Sequence, residues 1–230
     1  MTLKAISLAV VVATAAMAQT GVFVSRPASA DFAPTADPNA PQWKDAASVI
    51  APNDPMGNPV EGHRTEIRSF WTKKNLSFLF ICPYGELNSK PDPEIKAETN
   101  KLWDWDVAEV FIGSDLSNIT HYKEFEVSPH GEWVDLDIDR KQPLPKGGIG
   151  WDSGFQLKTR IDEEHKIWYG EMQIPFKSIS DNPPEADQQF RLNLYRIQGP
   201  GPDRVMIAWQ PTHKRNFHVP DAFGILRLAK

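Results

Sequence analysis

Residues 102–113 read LWDWDVAEVFIG, which sets Trp103 and Trp105 beside Asp104, Asp106 and Glu109 at the entrance to a run of β-formers. Aromatic rings flanked by carboxylates are what a sugar requires. The apolar C–H face of a pyranose stacks on a ring, and its hydroxyls seek charged or amide partners. Two-residue alternation from Trp103 onward puts Trp103, Trp105, Val107, Glu109 and Phe111 on one face of an extended segment. In the following stretch Tyr122, Glu124 and Glu126 share a face opposite Phe125 and Val127. Two neighbouring strands of this kind would present rings and acids to one concave surface. The competing reading is architectural, because most tryptophans of a β-domain cover its core edge and most strand carboxylates are solvated. Trp103 follows a loop containing Pro91, Pro93, Thr99 and Asn100, so it is expected to stay exposed, with Trp105 packing against the sandwich edge.

Period-two patterning extends along most of the chain. Thr65–Trp71 and Leu76–Cys82 flank the polar turn Lys73-Lys74-Asn75, and His121–Ser128 and Trp133–Ile138 flank Pro129-His130-Gly131. Val107–Gly113, Phe155–Ile161, Trp168–Ile174, Phe190–Ile197, Val205–Trp209 and Phe223–Leu228 complete a series of about ten short strands. Helix has room for a single turn, near Phe176–Ile179. The expected fold is all-β, a single-domain antiparallel β-sandwich of jelly-roll type.

At the N-terminus Lys4 precedes the apolar run Ala5–Ala18, and small-x-small sites end at Ala18 and Ala30. This pattern predicts an export signal over residues 1–30, cleaved after Ala30 by preference or after Ala18, with a retained N-terminal anchor as the alternative. Residues 31–58, rich in proline, alanine and aspartate, are expected to form an extended lead-in to a domain over 59–230. The net charge of −5 understates the acidity of residues 31–230, since residues 1–30 carry two bases and no acid. Nucleic acid and anionic membrane surfaces, which need a basic footprint, are therefore poor partners. No second apolar stretch is long enough to span a membrane. Cys82 is the single cysteine and makes no intramolecular disulfide.

Eight segments in order resemble the family 9 carbohydrate-binding modules: TEIRSFW (65–71), LWDWDVAEVFIG (102–113), HYKEFEVSPHGEWVD (121–135), GWDSGF (150–155), WYGEMQIPFKSI (168–179), FRLNLYRI (190–197), WQPT (209–212) and NFHVPDAFGILRL (216–228). The resemblance implies a non-catalytic exported protein, periplasmic or extracellular and of bacterial type, that holds the end of an oligosaccharide or polysaccharide between two rings. It assigns Trp103 as the first ring, Phe217 as the second and Glu109 as a hydroxyl acceptor. Asp106, Glu124, Arg196, Asn216 and His218 are further carbohydrate-binding candidates. Phe217 stands where those modules carry a tryptophan and Glu126 where they carry an arginine, so the ligand is expected to differ. The resemblance also implies structural calcium, for which Asp104, Asp106 and Asp135–Asp139 are the available oxygen donors, and a partner glycoside hydrolase.

Two other functions fit parts of the sequence. A glycoside hydrolase would need paired carboxyls, for which Glu109 with Glu124 or Glu126 is available. A haem-binding sandwich domain of a redox chain would need axial ligands, for which Met206 and His218 are available. The remaining histidines show no spacing that gathers three or four zinc ligands.

Overall fold

The computed structural model describes residues 21–142 and 150–230. The basic and apolar stretch of the expected signal lies outside the described residues. Twelve strands form: β1 (Val22–Pro27), β2 (Ala47–Ala51), β3 (Thr65–Trp71), β4 (Asn75–Pro83), β5 (Val107–Gly113), β6 (His121–Val127), β7 (Trp133–Asp139), β8 (Gln156–Asp162), β9 (Ile167–Pro175), β10 (Gln189–Gln198), β11 (Val205–Ala208) and β12 (Gly224–Leu228). One helical turn, α1 (Phe176–Ile179), follows Pro175. The all-β sandwich expected from period-two patterning is the observed architecture.

The strands run in the order β7-β6-β5-β10-β12-β1-β3-β4-β9-β8, with β11 beside β10 and β2 beside β3. This curled sheet doubles back so that its halves face one another. Ala108, Val110 and Ile112 of β5, Phe125 and Val127 of β6, and Leu192 and Leu194 of β10 pack against Ile67, Phe78, Phe80, Trp168 and Met172 of the other half. Burial of these side chains is the main favourable term holding the halves together.

Two elements differ from the sequence expectation. Residues 31–58 are not merely a lead-in. They contain β2, paired antiparallel with β3, and a 3₁₀ turn whose Trp43 stacks 4.7 Å from Phe70. The backbone N–H groups of Thr35 and Ala36 each donate to Glu171 at 2.8 Å. The segment thereby caps the outer face of β3, β4 and β9, where Ala36, Trp43, Phe70, Leu79 and Tyr169 form a separate apolar cluster. The second difference is β1, which falls inside the stretch assigned to the signal. It lies parallel to both β12 and β3 and joins the two halves of the sheet. Cleavage after Ala30 would remove this strand, whereas cleavage after Ala18 would keep it.

At the β1–β12 junction the backbone of Gly224 approaches its neighbours more closely than any side chain allows. A Cβ there would stand 2.6 Å from the Trp209 ring and 2.7 Å from the Gly21 carbonyl oxygen, and that oxygen already accepts the Ile225 N–H. Gly224→Ala is expected to cost ~1–3 kcal/mol by overpacking. At this chain size each kcal/mol lowers the melting midpoint by ~2–4 °C. A thermal melt checks it, and an unchanged midpoint would mean that the junction yields freely.

Candidate functional site

Strand β5 is buried along its whole length, because both of its faces are covered. Its inner face serves the main core. On its outer face Val107 and Phe111 join Tyr122 of β6, Val134, Leu136 and Ile138 of β7, Tyr195 and Ile197 of β10, and Phe217 in a second apolar cluster. This cluster is the wall of a cavity of ≈ 590 Å³. Glu109, Glu124 and Glu126 line it from the strands, Trp103 from the segment before β5, Met206 from β11, and Asn216, Phe217 and His218 from the loop before β12.

The two aromatic candidates reach the cavity by different means. Residues Leu102–Asp104 form a 3₁₀ turn entered through Lys101 at φ +59°, so Trp103 and Trp105 do not continue the alternation of β5. Leu102 takes the buried position of that turn, and both tryptophans are half-buried. The expectation that Trp105 is the core-packing ring fails, because Trp103 is the one packed against the apolar wall. Arg204 fixes the turn, donating to the carbonyl oxygens of Trp103 and Trp105. Phe217 stacks on Tyr195 with centroids 4.0 Å apart and planes 12° from parallel. The Tyr195 hydroxyl donates to the Phe217 carbonyl at 2.9 Å and accepts from Asn193 at 2.7 Å. Phe217 is therefore held rigidly.

His218 shares a 2.7 Å hydrogen bond between its Nδ1 and the Tyr122 hydroxyl, and Nδ1 lies 3.9 Å from Glu124. Burial, with a smaller contribution from Arg140, pulls its pKa down to about 4. The ring is therefore neutral near pH 7. Burial lifts the carboxyls instead. Glu124 rises to about 7, and Glu109 and Glu126 rise well above the carboxylate range, chiefly by desolvation and then by repulsion within the cluster.

Six of the eight residues expected in the site line this one cavity: Trp103, Glu109, Glu124, Asn216, Phe217 and His218. Asp106 and Arg196 do not. Asp106 is a buried staple that accepts the backbone N–H groups of Asn88 at 3.1 Å and Gly199 at 2.6 Å. Arg196 points from β10 to the opposite side, among the inner core residues, where it bonds Thr65 and Gln198 and lies over the Trp168 ring. Alternation gave no warning here, because β10 is buried on both faces. The cavity also takes Leu136, Ile138 and Ile197, which had only the generic signal of strand alternation.

The acids expected to hold calcium do not gather around one point among the described residues. Asp135 accepts the Ser153 N–H, Asp137 pairs with Lys123 and His121, Asp139 caps the Lys141 N–H, and Asp104 is exposed. Met206 and His218, the candidate axial ligands of a haem, both line the cavity, and the Nδ1 of His218 is taken by the Tyr122 hydroxyl.

A curled β-sandwich whose outer concave face carries rigid rings above buried acceptors defines the class of β-sandwich ligand-binding modules. Residues 38–230 match the model of the carbohydrate family 9 binding domain-like proteins, and the chain belongs to that family. A fungal "Extracellular protein" from Arthroderma benhamiae is 26% identical over 172 residues, covering 70% of this chain and 76% of that one. A family 9 carbohydrate-binding module from Caldicellulosiruptor kristjanssonii, solved with cellotriose, superposes with a TM-score of 0.67 at 13% identity, covering 91% of this chain and 94% of that one. The same organism's module solved with glucose gives a TM-score of 0.65 at 13% identity, with 91% and 97% covered. At such identity these structures are alike in fold. The family match begins after β1, which nevertheless belongs to the same sheet. No helix of the described residues is long and apolar enough to cross a membrane.

Proposed function

We propose that this protein is a non-catalytic, exported carbohydrate-binding domain that holds the end of a glucan-like chain in the cavity between Trp103 and Phe217. The observation that carries the reading is the convergence of those two rings with buried carboxylates on one cavity of ≈ 590 Å³. Each ring offers an apolar face for a pyranose, and sugar hydroxyls donate to carboxylate oxygens of Glu109, Glu124 or Glu126 that otherwise lack partners. Phe217 is preorganised by Tyr195 and Trp103 by Arg204, which reduces the ordering entropy that binding must offset. Family membership supports the reading, as do the relatives whose descriptions name cellotriose, glucose and an extracellular location. A partner glycoside hydrolase would use such a domain to stay on its substrate. The acids cluster on one floor rather than flanking a bond from two sides, which favours binding over hydrolysis.

Calorimetric titration with cello-oligosaccharides tests the proposal. Trp103→Ala is expected to weaken binding by at least ~0.5–1.5 kcal/mol, the worth of an aromatic contact, or about 2- to 12-fold at 1.4 kcal/mol per decade. Its melting midpoint should fall far less than for loss of a core aromatic, since the ring is half-buried. Phe217→Ala should weaken binding and lower the midpoint together, because it also leaves Tyr195 uncovered. Retention without new reducing ends is the expected result. Turnover that Glu109→Gln abolishes would replace binding with hydrolysis, and no affinity for any glycan would remove the reading altogether.

A further inference from the structure

The floor of the cavity gathers three acidic side chains from two adjacent strands. Glu109 of β5 stands directly opposite Glu126 of β6 in the strand register, and Glu124 lies two residues away on the same face. One carboxylate oxygen from each falls within 4.8 Å of the others. The three residues are 2%, 2% and 0% exposed in the order 109, 124, 126. Glu109 Oε1 has no hydrogen-bond partner, and Glu124 Oε2 and the Glu126 oxygens have none beyond the contact these two carboxyls make with each other.

Like charges directly opposite on paired strands destabilise a sheet, and a buried charge without a partner costs several kcal/mol. No lysine or arginine of the described residues forms an ion pair with any of the three. Arg204, whose charge favours ionisation of Glu109 and Glu126, is committed to the carbonyl oxygens of Trp103 and Trp105, and Lys101 and Arg215 line the cavity without an ion pair to any of the three. His218 Nδ1 lies 3.9 Å from Glu124 and is held by the Tyr122 hydroxyl.

We infer that Glu109, Glu124 and Glu126 form a binding site for a hard divalent cation, of the calcium or manganese kind, at the floor of the cavity. Oxygens spaced this way can all reach one ion at the ~2.3–2.6 Å of calcium–oxygen bonds. A doubly charged ion offsets the three carboxylates more fully than the single charge of an ammonium group. The floor opens into the cavity, so coordination positions not filled by protein face the ligand. Vicinal sugar hydroxyls can occupy them, a second step that rests on the carbohydrate reading, whereas the cation site itself does not.

The test uses the exported chain with β1 intact, stripped with chelator and titrated with calcium, manganese and terbium. Terbium emission sensitised through Trp103 or Tyr122 and a melting midpoint raised by about 5–10 °C at 100 times the Kd are the expected results. Glu126→Gln keeps the shape of the side chain and removes its charge. It should bind the cations at least about tenfold more weakly, since ligand charge sets affinity at such sites. In chelator it should melt above the wild type, which shows that it folds. Equal cation affinity in Glu126→Gln would overturn the site, as would a wild type whose midpoint millimolar calcium and manganese leave unmoved. Glucosamine binding in place of the metals would likewise overturn it in favour of an ammonium ligand. Cello-oligosaccharide titrations separate the two ideas. Glucan binding with no cation binding ends this inference alone, and cation binding with no glucan binding upholds it and ends the carbohydrate reading.

Discussion

A chain beginning at Asp31 is expected not to fold, whereas one beginning at Gln19 folds cooperatively. The reason lies in β1, which is the seam between the two halves of the sheet, four residue pairs joining it to β12 and two joining it to β3. Phe23 is 1% exposed, with ring centroids 6.4 Å from Phe78 and 6.1 Å from Trp209. Ser25 places its hydroxyl 2.8 Å from that of Ser69, and its carbonyl accepts the Ala229 N–H. Losing one core aromatic costs ~3–5 kcal/mol, and domains of this kind hold only ~5–15 kcal/mol in total. Losing the whole strand would also expose unpaired edges of β12 and β3, which invite association. Circular dichroism melts of the two chains check the fold. Under the proposed export, intact mass of the mature chain is expected to place its N-terminus at or before Gln19. A cooperative melt of the shorter chain at the longer chain's midpoint would show that β1 is dispensable.

Replacing Arg196 by alanine is expected to be the most damaging single substitution in the sheet and to leave the geometry of the cavity untouched. The guanidinium is 0% exposed, and burial lowers its pKa, an effect that the charge of Asp106 opposes. Its Nη1 donates to Thr65 Oγ1 at 3.2 Å, and Gln198, which takes another of its hydrogens, is itself tied to the Glu86 carbonyl at 2.7 Å. Truncation would leave a void beneath Trp168, orphan the acceptors on Thr65 and Gln198, and leave Asp106 with Arg204 as its remaining cation. Truncating a large buried side chain to alanine costs ~2–5 kcal/mol, which at this size is ~4–20 °C of melting midpoint. Arg196→Met fills the void and is expected to cost less. Glycan affinity of whatever fraction remains folded should match the wild type. A variant that melts normally but binds glycan weakly would put Arg196 in the ligand site instead.

The sequence by itself determined the strand series and the relative facing of side chains within each strand. Backbone pleating imposes a period of two whatever the rest of the chain does, which is why Glu109 with Phe111, and Tyr122 with Glu124 and Glu126, fall on common faces as their spacing requires. Local pattern also separated turns from strands at Lys73–Lys74 and Pro129–Gly131, although Asn75, read as a turn residue, opens β4. Three matters were decided only by tertiary structure. Periodicity cannot say which face is inner when both are buried, so Arg196 on β10 looked as eligible for the cavity as Tyr195 and Ile197, and pairing of β10 with β5 sent it to the core. The short apolar run of β1 follows the apolar run Ala5–Ala18 closely in sequence and acquires meaning as a strand only from its distant partners, β12 and β3. The gathering of Glu109, Glu124 and Glu126 depends on the register between β5 and β6, and the stacking of Phe217 on Tyr195 depends on a loop returning across the sheet. A one-residue slip in that register would turn the acids of one strand to the other face, so the site's chemistry is written in residue types but assembled by long-range pairing.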